Sequence, residues 1–204
     1  MDGTRYGFAL ALPMIVTVVI VGDSLLDLWM GARYKEGLIL AILAVGHLLP
    51  MALNPVVSIL VGLNLHGKVG WISLCCAVLG IAFGIFSVGY LGWNLVGAAL
   101  ALAVPNTVGN GIVLIWYACR KLEVPIKIFI KHVFVLPVLS NIPYAICLII
   151  IRILFGGKPY LIIVLSVILA AMVLFPIYWK SMMPNQMKEE IRLYYKKISY
   201  AFGI

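Results

Sequence analysis

Leu38–Val61 reads LILAILAVGHLLPMALNPVVSILV and contains no Asp, Glu, Lys or Arg. A helix needs about 20 predominantly apolar residues to cross a hydrocarbon layer about 30 Å thick, and this run has that length. It offers no charged face to water, so it does not read as a surface helix of a soluble domain. A lipid-embedded span is the reading that suits it.

Working outward, the same reading applies to Phe8–Trp29, Trp71–Tyr90, Leu95–Cys119, Val133–Leu154 and Tyr160–Trp179. Between these runs fall Gly31, Gly67, Gly92, Pro125 and Gly156-Gly157-Lys158-Pro159, connections of the kind that end helices. None is long enough to act as a linker. The composition agrees, with 64% hydrophobic and 11% charged residues, against about 25% charged in an ordinary soluble domain. The expected architecture is all-α: a polytopic transmembrane bundle of six spans over residues 1–184.

A basic amphipathic tail is expected over 185–204, on the cytoplasmic side. Met187, Ile191, Tyr194, Tyr195, Ile198 and Phe202 recur at helical spacing, among Lys188, Arg192, Lys196 and Lys197. Such a helix lies in the headgroup layer and is held there by anionic lipid. The first span follows a short leader with Arg5, but it is long for a signal peptide and lacks a small-residue cleavage pattern, so it is read as retained.

Positive residues stay on the cytoplasmic side during insertion. Of the 15 lysines and arginines, only Arg33, Lys35, Arg152 and Lys158 fall on one side of the six-span topology. The others, from Arg5 through Lys68, Arg120, Lys121, Lys127 and Lys131 to the tail, share the side of both termini. Both termini are therefore expected in the cytoplasm. The net charge of +8 is accounted for by topology, and no nucleic-acid partner is implied.

Polar side chains inside hydrocarbon need a partner or water, which makes them the place to look for function. His47 and Asn54 are seven residues apart, about two helical turns, and so share a face, with Ser58 one turn further on. Asn106 and Asn110 stand one turn apart in the fourth span beside Thr107, and Ser140 and Asn141 lie near the middle of the fifth. This belt reads either as hydrogen bonding between helices or as the lining of a wet cavity. It contains no carboxylate pair and no nucleophile–base–acid set, so no catalytic residues are assigned and an enzyme is not expected.

Asp23 and Asp27 lie one turn apart toward the far end of the first span, with Arg33 and Lys35 following. They read either as a solvated interfacial charge cluster or as carboxylates that couple transport to a cation. Cys75, Cys76, Cys119 and Cys147 lack metal-site spacing and read as packing residues, so no metal or cofactor is expected. Pro13, Pro50, Pro55, Pro105, Pro137, Pro143 and Pro176 predict kinks, several of them beside the polar belt. Gly80, Gly84, Gly92 and Gly97-Ala98-Ala99 predict close helix approach.

Several segments resemble the C-terminal part of polysaccharide biosynthesis proteins. They are Leu28-Trp29-Met30-Gly31-Ala32-Arg33-Tyr34, Ser58-Ile59-Leu60-Val61-Gly62-Leu63 leading to His66-Gly67-Lys68, Gly92 with Val96-Gly97-Ala98-Ala99-Leu100, and Cys119-Arg120-Lys121-Leu122. These proteins are the O-antigen flippases of the multidrug/oligosaccharidyl-lipid/polysaccharide exporter superfamily. The resemblance covers roughly residues 5 to 155 and implies a helical, alternating-access transporter in a bacterial inner membrane. The implied substrate is an oligosaccharide on a polyprenyl pyrophosphate, and membrane lipid is the other partner. His47, Asn54, Asn106, Asn110 and Asn141 are nominated for the cavity, and Lys68, Arg120 and Lys121 for first contact at the cytoplasmic mouth.

Members of that family carry a further helix bundle ahead of this region. The chain is accordingly expected to be a fragment or truncated product that needs a missing N-terminal bundle or a second chain. A cation-coupled small-molecule antiporter, a membrane enzyme and an assembly subunit of polysaccharide synthesis are the competing classes.

Overall fold

A computed structural model of the chain describes residues 1–31, 33, 36–155 and 158–181. Among the described residues, six helices are long and apolar enough to cross a membrane: Asp2–Met30, Gly37–Gly62, His66–Tyr90, Asn94–Lys121, Ile126–Phe155 and Pro159–Trp179. They are called the first to sixth spans here. The protein is an all-α, multi-pass membrane protein, and no strand occurs among the described residues. The basic tail expected over 185–204 lies outside the described residues.

All six expected spans are present, and several run further than their apolar cores. The first begins at Asp2 rather than Phe8, and the fifth at Ile126 rather than Val133. Helical hydrogen bonding does not stop where hydrocarbon does. Arg5, Lys127 and Lys131 sit on helical turns whose long stems can lie along apolar surface while their charged ends reach headgroups and water. The break expected at Gly67 falls earlier, since the third span already starts at His66. Asn64 supplies the left-handed turn residue, with φ 59°, a conformation that asparagine tolerates better than most side chains.

The first span is central and packs against the second, fifth and sixth. The second packs also against the fourth, and the fourth against the third. The helices thus run in the order third, fourth, second, first, with the fifth and sixth beyond. One apolar core joins the first, second, fourth and fifth spans through Phe8, Leu53, Leu60, Leu114, Phe129 and Val133. A second holds the sixth span through Leu148 and Leu174, against Val16 and Ile20 of the first.

Small residues set the helix spacing. A side chain at Gly46 would run into Ala103, so the second and fourth spans touch backbone to backbone there. A Cβ at Gly80 would stand 3.0 Å from the Ala101 carbonyl.

A break or a widened turn accompanies Pro50, Pro55, Pro137 and Pro176, whereas Pro13 and Pro143 stand inside continuous helix. The second span breaks at Leu53, with φ −86° and ψ −2°, between Pro50 and Pro55. Wide, π-type turns occupy Lys131–Val135 and Ala170–Leu174, just ahead of Pro137 and Pro176. A proline ring collides with the carbonyl four residues back, here Val133 and Met172, and widening that turn relieves the collision. The first span leaves helical geometry at Val21, with φ −118° and ψ 15°.

Candidate functional site

A proline inside a helix removes the N–H that would pair with the carbonyl four residues earlier, and in hydrocarbon that carbonyl must find another donor. Pro50 frees the carbonyl of Gly46. The Asn106 amide donates to it at 3.3 Å, and the Thr107 hydroxyl lies 3.1 Å from it, sharing its one proton with the Ala103 carbonyl at 2.8 Å, both from the fourth span. Asn106 Oδ1 in turn accepts from Asn110 Nδ2 at 2.9 Å, and Asn110 Oδ1 accepts from the Ser73 hydroxyl of the third span at 2.9 Å. One chain of hydrogen bonds therefore ties the third, fourth and second spans together.

Pro13 frees the carbonyl of Ala9 in the same way, and Tyr178 of the sixth span donates to it at 2.8 Å. Asn141, 3% exposed, donates through Nδ2 to Tyr178 at 2.6 Å and to the Pro137 carbonyl at 2.9 Å. Its Oδ1 is buried without a hydrogen-bond partner. Tyr144 meets Thr17 at 2.7 Å, oxygen to oxygen, completing a second network among the first, fifth and sixth spans.

The belt is therefore two networks. Asn106 and Asn110 belong to one, and Asn141 belongs to the other. Asn106 and His47 line a common cavity of about 710 Å³ between the second, third and fourth spans, with Pro50, Cys76, Gly80 and Ala101 among the other walls. Among the described residues, no Asp, Glu, Lys or Arg lines it. Asn141 is not among its walls.

His47 is exposed on the second span before its break at Leu53, Asn54 and Ser58 after it, and Ser73 is exposed on the third span. His47 Nδ1 lies 2.8 Å from the Leu43 carbonyl. A neutral ring donating there keeps Nε2 as an acceptor. Ser58 donates to the Asn54 carbonyl at 3.0 Å, within its own helix. His47 and Ser58 thus bond within their own helix, whereas Ser73 reaches across to Asn110.

Lys68 stands in the first turn of the third span, and Arg120 and Lys121 in the last turn of the fourth, all exposed. The Arg120 guanidinium lies 5.5 Å from the centre of the Trp116 ring, within cation–π range. At the opposite end, Asp23 is bridged on both oxygens. Oδ1 accepts from the Gly37 N–H at 3.0 Å and Oδ2 from Arg152 at 3.2 Å. The same guanidinium donates to the Ile20 carbonyl at 2.5 Å, beside the Val21 break. Asp27 lies one turn on, half-buried.

Tyr178, Tyr144, Thr17, Ser73 and Gly46 are the participants that polar-residue spotting missed. The signal for two of the acceptors was nevertheless present in the chain: a proline at position i marks the carbonyl at i−4. No family model matches this chain, and no curated protein or solved structure matches it either.

Proposed function

We propose that the chain is part of a membrane transporter that moves a polyprenyl-pyrophosphate-linked oligosaccharide across a bacterial inner membrane, with both termini in the cytoplasm. The observation that carries the reading is the exposed polar face of the second and third spans. His47, Asn54, Ser58 and Ser73 stand outward within apolar helices, beside a cavity that His47 and Asn106 share. Uncharged donors and acceptors at that depth are costly against lipid and well suited to a hydrated path for sugar hydroxyls. Lys68, Arg120 and Lys121, exposed at one end of the bundle, supply positive charge for a pyrophosphate. Cation coupling through Asp23 is less favoured, because Arg152 already neutralises that carboxylate.

The test is reconstitution of the full chain into vesicles carrying a fluorescent short-prenyl pyrophosphate sugar, with leaflet transfer followed by quenching from outside. Transfer above that of protein-free vesicles is expected. It should fall about tenfold in H47A/N54A/N106A, the combined effect of several lost polar contacts. No transfer, or transfer indifferent to these changes, would sink the reading. A rate that collapses with the proton or sodium gradient and with D23N would favour the antiporter instead.

A further inference from the structure

A second concavity lies on a different face from the polar cavity. Leu49, Ile112, Ile115, Trp116, Ile130 and Phe134 are among the walls of a groove of about 460 Å³ where the fourth and fifth spans meet the second. Its lining is hydrocarbon and aromatic throughout. The groove is open on the side, and Ile112 and Trp116 are half exposed, so its natural filling is an extended apolar chain rather than a compact polar solute.

The mouth of the groove is cationic. Arg120 lies over the Trp116 ring, which is itself a wall, so the guanidinium is fixed where the apolar lining ends. The turn to the fifth span is short and ordered. Leu122 N donates to Ala118 O at 2.9 Å, Val124 N to Cys119 O at 2.9 Å, and Ile128 N to Pro125 O at 3.0 Å. That turn brings Lys127 and Lys131 alongside, each one step round the helix from a groove residue, Ile126 and Ile130 respectively. Both lysines are exposed; Glu123 stands in the turn, and Asp2 pairs with His132, next to Lys131, at 2.9 Å.

An apolar slot with a guanidinium over its Trp116 wall and two exposed lysines on the helix of its Ile130 wall matches an amphiphile with a long chain and an anionic phosphate head. We infer that this groove is a binding site for an anionic phospholipid of the surrounding membrane, the acyl chain lying against Trp116, Ile130 and Phe134 and the phosphate against Arg120, Lys127 and Lys131. The inference stands apart from sugar transport and holds whether or not the chain is a flippase.

Trp116 is a built-in reporter, since bromine on an acyl chain quenches only nearby indole. The full chain is reconstituted into phosphatidylcholine vesicles containing a fixed fraction of dibrominated phosphatidylglycerol or, in parallel, dibrominated phosphatidylcholine. The Trp116 signal is the difference between wild type and W116F. Brominated phosphatidylglycerol should quench it at lower mole fraction, by about fivefold for each cation that reaches the phosphate. R120Q/K127Q/K131Q should reduce that preference to near unity while its circular dichroism stays native. I130F, which fills the slot without adding an indole, should lower quenching by both lipids. Equal quenching by the two headgroups, or a preference that survives removal of the three cations, would overturn the assignment.

Discussion

The Tyr178 phenol donates to the backbone carbonyl of Ala9 across 2.8 Å, on a different helix and at the one position of that helix whose acceptor Pro13 has left without its amide. Sequence and packing meet there. A proline four residues downstream creates the vacancy, and a distant aromatic residue fills it. Gly46 repeats the arrangement, with Pro50 as the cause and Asn106 and Thr107 as donors.

Y178F should therefore cost about 1–2 kcal/mol of stability, the range for a hydrogen bond lost inside a membrane bundle. Restoring the amide with P13A gives the Ala9 carbonyl its own helical partner, so the same Y178F change should cost clearly less in that background. A double-mutant cycle in mild detergent, read by denaturant or thermal unfolding, measures the coupling. Equal costs in the two backgrounds would mean that the hydroxyl acts through Asn141 and not through the Ala9 carbonyl.

The spans were legible because charge is nearly absent from them. A run such as Leu38–Val61 has one physically reasonable state in a cell. Their ends were not, because residues such as Asp2 and Lys127 carry helix past the hydrocarbon, where apolar counting stops seeing it. His47, Asn106 and Asn141 stood out as costly residues, yet nothing local to each says that the first two share a cavity and the third is buried with Tyr178. That division depends on which helix faces meet. Tyr178 was hidden for another reason. Tyrosine is common in membrane helices as an interfacial anchor, so a tyrosine near a span end draws no attention until its hydroxyl is seen to have a target.

Gly46 makes a sharper packing prediction. A Cβ there would collide with Ala103, so G46A should be destabilising by about 1–3 kcal/mol through overpacking. The collision involves the Ala103 methyl group, and A103G should recover part of the loss. Thermal unfolding of the two single variants and the double variant checks this. A G46A protein as stable as wild type would mean that the second and fourth spans separate more easily than their contact suggests.

The shared acceptor at Gly46 predicts non-additivity. N106L leaves Thr107 donating to the carbonyl, and T107V leaves Asn106, so each alone should cost less than about 1 kcal/mol. Together they abandon the acceptor in hydrocarbon, and the double variant should lose more than the sum of the singles. N106L also releases Asn110, whose amide then has only the Ser73 contact to hold it. If the two losses simply add, the carbonyl is being satisfied by something else, and water from the adjacent cavity becomes the donor to test.

The Asp23–Arg152 pair can be separated into its parts because each oxygen of Asp23 has a different donor. D23N keeps an acceptor for the Gly37 N–H and loses the charge, whereas D23A loses both. The ion pair is about half exposed, so its Coulombic share should be below about 1 kcal/mol and should shrink with salt. The Gly37 bond caps the start of the second span and should be insensitive to salt. D23A is therefore expected to be less stable than D23N at every ionic strength, while the gap between wild type and D23N narrows as salt rises. R152Q should match D23N only if Arg152 acts through Asp23 alone. Its additional bond to the Ile20 carbonyl, at the Val21 break, predicts a larger loss. Unfolding of the three variants at low and high salt decides the matter, and a D23N protein indistinguishable from D23A would remove the capping role.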